Sequence, residues 1–182
     1  MQEPEKQDAS MLLEQARQLD EAALGQLVRE YYPAVLRFLS YRTRNQEDAE
    51  DLTSEVFIRM TGAIKTQTGN FAAWLFKIAR NLLIDYYRKM DRRKTSSLDE
   101  MEDDSIAVTS RDHREGFSED EIKGMLAVLT DEQQEAVTLR FLNGYSLEET
   151  AGIMQKSVGA VKLLQFRAIA ALKEHLKIDI QA

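Results

Sequence analysis

Apolar residues recur along this chain at spacings of three and four, and strand-like alternation is weak, so the pattern predicts helices throughout. Ser10 is placed to cap a helix starting at Met11. A long helical stretch follows, with Ala23, Leu24, Leu27, Val28 and Tyr31 on one side. Pro33 restarts or kinks it, because proline lacks a donor and clashes with the preceding turn. Val35, Leu36, Phe38 and Leu39 carry the apolar face onward. A third helix is predicted from Gln46 to about Met60. Its buried stripe is Ala49, Leu52, Val56 and Met60, with Asp48, Asp51 and Glu55 as an acidic stripe on the other side. Residues 65–70, KTQTGN, form a loop by composition, and Asn70 caps a strong helix running from Phe71 to about Met90.

From about Lys94 to Ser118 the apolar periodicity lapses and Ser, Asp and Glu dominate, which predicts a flexible linker. Helical spacing returns at Glu119 and runs to Leu129. Thr130 or Asp131 then caps a helix over 132–142, which Asn143-Gly144 ends in the left-handed way. Ser146 with Glu149 makes a capping box for a helix over 147–154, and a tight turn at 155–157 leads to a last helix from Val158 to about Leu176. The expected fold is all-α: two small helical domains, 10–93 and 119–177, joined by a linker over 94–118, with no internal repeat.

Composition narrows the function classes. The absence of cysteine among 182 residues excludes disulfides, Cys-ligated zinc and thiol catalysis, and fits a reducing cytoplasm. No apolar run is long enough to span a bilayer, and the polar, acidic start MQEPEKQDAS is no secretory signal, so a cytoplasmic location is expected. A net charge of −7 argues against free nucleic-acid binding, since phosphate neutralisation dominates DNA affinity. The distribution changes that picture. Residues 80–94 hold six basic side chains against two acidic, and 156–177 hold five against one, whereas 99–121 hold ten acidic against two basic. Two basic islands flank an acidic strait, which is expected to weaken DNA binding by the free chain.

The C-terminal island contains SLEETAGIMQKSVGAVKLLQFR, residues 146–167, with the layout of a helix-turn-helix. Ala151 is the small residue at the crossing. Ile153, Met154, Val161 and Leu164 are the apolar contacts that set its angle. Ser157 caps the second helix, whose first turns would enter a major groove. Lys162 and Arg167 project from it, suited to phosphate or guanine. The same layout also fits a helical hairpin within a bundle. In the N-terminal island, FAAWLFKIARNLLIDYYRKMDRRK (71–94), Phe71, Leu75, Ile78, Leu82 and Tyr86 share a core face. Lys77, Arg80, Asn81, Ile84 and Arg88 share another, mainly cationic, face that ends in Arg92-Arg93-Lys94, with Trp74, Tyr86 and Tyr87 interleaved. Cations that track a backbone and rings that stack on bases suit partly single-stranded nucleic acid. A solvated basic face over an aromatic core is the plainer alternative, and burial is the favoured reading for Trp74.

These residues resemble a family. NQEDAEDLTSEVFIRM (45–60) followed by AWLFKIARNLLIDYYRK (73–89) looks like region 2 of the extracytoplasmic-function sigma factors, and LTDEQQEAVTLRFLNGYSLEETAGIMQKSVGAVK (129–162) looks like their region 4. Both motifs stand in the family's order across a variable linker. The resemblance implies a non-enzymatic initiation subunit that binds core RNA polymerase and directs promoter-specific transcription. It implies docking on the β′ clamp helices through Asp48, Asp51, Leu52, Glu55 and Val56, and a further contact with the β flap. It implies capture of a flipped −10 base by the 65–70 loop, with Lys65, Asn70, Trp74, Lys77, Arg80, Asn81, Asp85, Arg88, Arg92 and Arg93 on −10 DNA. Lys156, Ser157, Gly159, Ala160, Lys162, Leu163, Phe166 and Arg167 are implied on the −35 element. An anti-sigma factor commonly controls such proteins.

The chain departs from the pattern in two places. Gln155 stands where glycine is common in the turn, and a left-handed conformation there costs about 1 kcal/mol. Leu163 and Phe166 stand where polar residues are frequent, and either touch thymine methyls or form an apolar face that an inhibitor covers. His113 and His175 fit solvated or helix-end roles, and no metal, cofactor or catalytic constellation is expected. A duplex-binding regulator would need a sensor at the N-terminus, which the basic aromatic helix fits poorly. A protein-interaction adaptor would leave both basic islands unexplained.

Overall fold

Short polar side chains start the helices by accepting hydrogen bonds from amides that the first turn leaves unpaired. The computed structural model describes residues 3–96 and 117–180, with side-chain surroundings over 9–92 and 117–176. Helix α1 (Glu3–Arg17) begins upstream of Ser10, which therefore lies inside it and caps nothing. Leu19 turns left-handed at φ +64°, and Asp20 accepts from the Ala23 amide at 2.8 Å to start α2 (Glu21–Ser40). The expected long helical stretch is thus broken at an Asp cap that apolar spacing alone does not reveal. Pro33 neither restarts nor ends α2. It stands on the exposed side, where water can replace the missing amide.

Asn45 caps α3 (Gln46–Ala63) through the Asp48 amide at 2.8 Å. A 3₁₀ turn (Ile64–Thr66) and a short loop lead to Asn70, which accepts from the Ala73 amide at 2.8 Å and starts α4 (Phe71–Ser96). Residues 97–116, most of the expected linker together with His113, lie outside the described residues. Ser118 and Thr130 close full capping boxes with Glu121 and Gln133 on α5 (Glu119–Ala127) and α6 (Asp131–Val137), so Thr130, and not Asp131, is the cap. A π-helical turn (Thr138–Leu142) extends α6 and closes at Gly144, φ +76°. Ser146 and Glu149 form the expected box on α7 (Leu147–Met154). Ser157 accepts from the Ala160 amide at 3.1 Å and starts α8 (Val158–Ile180).

Gln155 adopts φ +55°, ψ +42°, the left-handed geometry the turn was expected to impose. A β-carbon there is crowded against the following carbonyl. Gln155→Gly should therefore stabilise the protein by about 1 kcal/mol, read as a rise in urea midpoint at constant slope.

One apolar core runs through both groups of helices. Val35, Phe38 and Leu39 of α2, Val56 and Met60 of α3, and Leu75, Phe76 and Ala79 of α4 join Leu139, Ala151, Ile153 and Val161 from the C-terminal half. Phe76 sits at the seam, edge-on to Phe38 (centroids 5.3 Å) and to Tyr145 (6.0 Å). A smaller cluster of Leu126, Leu129, Val137 and Ala168 closes the far end.

Most polar contacts along the seam are of one kind: side chains of one half donate to backbone carbonyls of the other. Arg37 donates to the Leu142 carbonyl, and Asn143 to that of Ala34. Gln134 donates to the carbonyl of Tyr41, and Lys123 to that of Arg44. Most of these carbonyls sit at or just beyond a helical C-terminus, where intrahelical amides run out and positive charge is favoured.

Candidate nucleic-acid interface

Along α4 the exposed row is Lys77, Asn81, Ile84 and Arg88, residues that a helix brings within about 60° of one another. Arg88 is unencumbered apart from a 3.9 Å approach to Asp85, an exposed pair of small energetic weight. Beside the row, against α3, lies an open cleft of about 390 Å³ lined by Arg59, Ala63, Trp74, Ile78 and Asn81. Trp74 is half-buried, tilted on the Phe71 ring at 5.8 Å, so it supports the core and still borders the cleft. Lys65 and Asn70 are exposed between α3 and α4 and do not line the cleft, and the Asn70 oxygen is engaged as the α4 cap. Arg92 is exposed and donates to the Arg88 carbonyl. The side chain of Arg93 lies outside the described residues.

Arg80 departs from the stripe to which its spacing assigned it. It lies about 60° round the helix from Lys77. Its guanidinium is turned toward the C-terminal half, 3.2 Å from Glu135 and donating to the Ile153 carbonyl at 2.7 Å.

The acidic face of α3 is also less uniform than its sequence. Asp48 accepts from the Tyr86 hydroxyl at 2.7 Å and is held inside the first group of helices. Glu55 pairs with Arg59 at 2.7 Å, and Asp51 is exposed. Leu52 is half-buried. Val56 is wholly buried in the core, so the direct partner contact expected of it is corrected to a supporting role: it lies on the stripe that packs inward and touches no solvent. Sequence reasoning missed Ile58, 64% exposed and in line with Asp51 and Glu55. Its signal was an apolar residue off the buried stripe. Arg59, also missed, gave only a basic residue in an acidic helix.

On α8, Val161 and Ala168 are buried and Leu164 and Leu172 half-buried, as the stripe required. Gly159, Lys162 and Arg167 are exposed, Ala160 is half-exposed, and Ser157 serves as the cap. Lys156 is paired to Glu132 at 2.7 Å. Leu163 and Phe166 stand 48% and 72% exposed, a large apolar surface on a helix otherwise flanked by cations. Ala151 and Ile153 are buried at the α7–α8 crossing, so the helix-turn-helix geometry is present.

Two largely buried charges were not legible in the sequence. Glu135 pairs with Arg80 at 3.2 Å, and the charge of Arg42 also acts on it. Burial pushes its carboxyl above the ordinary range, by more than the two arginines draw it down. Arg42 lies over the Phe38 ring at 4.2 Å and donates to the Phe38 carbonyl, and burial lowers its guanidinium to about 10. Among the described residues no cluster of His, Cys, Asp and Glu is arranged to hold a metal ion, and no helix is long and apolar enough to cross a membrane.

The family models that match are Sigma-70 region 2 over residues 27–93 and Sigma-70, region 4 over residues 125–174. The chain is 39% identical over 173 residues to the ECF RNA polymerase sigma factor BldN of Streptomyces coelicolor, covering 92% of this chain and 66% of that relative's length. It is 34% identical to the ECF RNA polymerase sigma factor SigM of Bacillus subtilis, covering 82% of this chain and 93% of the relative. Among solved structures, the sigma factor RpoE in complex with the anti-sigma factor NepR from Bartonella quintana matches with a TM-score of 0.67 at 28% identity, over 85% of this chain and 97% of that one. CnrH in complex with the cytosolic domain of CnrY shares the fold, with a TM-score of 0.70 at 24% identity over 93% of this chain and 97% of that one.

Proposed function

Since the chain belongs to the extracytoplasmic-function family of RNA polymerase sigma factors, we propose that its two helical units, 10–93 and 119–177, divide promoter recognition between them. The outer face of α3, with Asp51, Glu55, Ile58 and the half-buried Leu52, docks on the polymerase β′ clamp helices. The α4 row of Lys77, Asn81 and Arg88 holds the −10 strand. The cleft beside Trp74 takes an unstacked base, and Lys65 and Asn70, in the segment that leads into α4, contact the same strand. The exposed face of α8 reads the −35 element, Lys162 and Arg167 on phosphate or guanine and Leu163 and Phe166 on thymine methyls. The protein acts as a subunit and not an enzyme, and it works in the cytoplasm, where core polymerase is.

The observation that supports this most is the pairing of a cationic row with an adjacent aromatic cleft on one helix. Cations follow a backbone whatever its sequence, whereas the cleft holds a base only after unstacking, which costs a few kcal/mol. A solvated basic face would need no cleft. The solved relative held by an anti-sigma factor supports a similar inhibitor for this chain, with Leu163 and Phe166 as apolar surface it would cover.

Run-off transcription with core polymerase from the source organism, on a pool of promoter fragments, tests the reading. Transcripts should require this protein. They should be lost with Asp51→Lys, which places a cation on the docking face, while the variant keeps its helicity. With a core shown active by another sigma factor, no protein-dependent transcript on any fragment would return the chain to a duplex-binding regulator.

A further inference from the structure

Gln67 stands in the middle of the loop between α3 and α4, yet the residue is only 2% exposed. A buried amide is costly unless its oxygen and both its protons are paired. Here all of them are. The Arg17 guanidinium donates to the Gln67 oxygen at 2.9 Å. The Gln67 amide nitrogen donates to the Thr68 and Gly69 carbonyls, both at 3.0 Å. Those two bonds draw the chain round its own side chain, and Gly69 supplies the left-handed residue, φ +74°, that so tight a loop requires. The Thr66 hydroxyl donates to the Ala63 carbonyl at 3.0 Å, and the Asn70 oxygen accepts from the Ala73 amide. Lys65 and Thr68 stay exposed on this scaffold.

Arg17 comes from an element to which no promoter contact is assigned. It ends α1, a helix that precedes the segment matched to Sigma-70 region 2, residues 27–93. Ala16 is fully buried in the core, Leu12 and Leu13 pack against it, and α1 lies on α2 and on the 3₁₀ turn that opens the loop. Glu14, one turn back, holds the guanidinium at 3.2 Å, so its approach to Gln67 is fixed from behind. A cation at a helix C-terminus is favourably placed, but water would serve it there as well. What Arg17 adds is the orientation of a buried amide. With the oxygen on Arg17, both amide protons face the Thr68 and Gly69 carbonyls. With the oxygen unpaired, the amide gains by turning toward water, and the loop loses the bonds that shape it.

We infer that Arg17 is a positioning residue for promoter recognition: from α1, through Gln67, it sets the shape in which the 65–70 loop meets the −10 strand. Gln67 is scaffold and touches no DNA. The inference rests on the reading that this loop contacts the unstacked −10 strand, and the test separates the two. Holoenzyme made with this chain is bound to a promoter fragment recovered by run-off transcription, with single abasic sites stepped through the non-template −10 strand. With the wild-type chain, at least one abasic site should weaken binding by on the order of tenfold, the weight of one lost base contact. Arg17→Met should weaken binding of the intact fragment by a similar factor and lose the response to one such site while keeping the others. The two losses should therefore not add. The salt dependence should stay as in the wild type, because Arg17 neutralises no phosphate. A direct contact would flatten it by about 0.7 logarithmic units.

Gln67→Glu separates positioning of the loop from anchorage of α1, and it carries the test should Arg17→Met fail to fold. The carboxylate keeps the bond to Arg17 but has no proton for the Thr68 and Gly69 carbonyls, so α1 stays tied while the loop is released. It should lose the same abasic response as Arg17→Met, whereas Arg17→Lys, with a donor still within reach of Gln67, should retain it. Wild-type responses in Arg17→Met or in Gln67→Glu, or a salt slope flattened by the amount of one phosphate, overturn the positioning role and leave the −10 reading standing. No response to any abasic site with the wild-type chain removes base capture, and this inference with it.

Discussion

Lys77→Glu combined with Arg88→Glu should reduce promoter-dependent transcription by about tenfold or more while leaving co-elution with core polymerase intact. Both side chains stand exposed on the α4 row, and neither has a partner whose loss would unsettle the fold: Arg88 has only its distant approach to Asp85. Each reversal removes one phosphate contact and puts repulsion in its place. Single-stranded DNA affinity varies with salt at about 0.7 logarithmic units per neutralised phosphate, so the double variant should flatten that dependence by about 1.4. This slope separates a lost contact from a general loss of folded protein, which would lower the amplitude and leave the slope alone. Undiminished transcription, with wild-type salt dependence, would remove the −10 assignment from α4.

Phe76→Ala should cost about 3–5 kcal/mol of stability, on the scale of a large aromatic deleted from a packed site. Phe76 is fully buried and meets rings from both halves, Phe38 on one side and Tyr145 on the other. The surroundings are helices held by caps and cannot readily collapse on the cavity, which keeps the cost near the upper part of the range. Folded domains are stable by only about 5–15 kcal/mol, so much of the population would unfold at modest urea. Chemical denaturation followed by the Trp74 fluorescence and by helicity checks this. A loss below about 1 kcal/mol would mean that Phe76 is not packed as described.

Much of the local structure was legible because its causes are local. The Ser146–Glu149 box, the Asn70 cap, the left-handed Gln155 and the buried stripe of α8 each depend on residues a few positions apart, and each stands as the pattern required. Where a local signal was overlooked, as at Asp20, the apolar stripe carried on across the break and hid it. The exposed row on α4 followed from helical spacing, but Arg80 did not keep to it, because a long cationic side chain goes to the acid within its reach, and Glu135 lies 55 positions along the chain. Val56 shows the same limit from the opposite side. Its place on an apolar stripe and its assignment to a partner surface were both available, and only packing against α2 and α4 decided for the core.

By itself, then, the order of residues determined that the chain is helical, where most of its helices start, that its two basic islands lie on separate helical units, and which family motifs they carry. These follow from hydrogen-bond capping, 3.6-residue periodicity and charge counting, all of which act over one or two turns. Only the tertiary structure decided that the two units share one core and that Glu135 pairs with Arg80. It also placed the cleft beside Trp74 against α3. Those outcomes depend on apolar faces finding one another across long stretches of chain, and on buried charges taking whichever opposite charge the packing brings near.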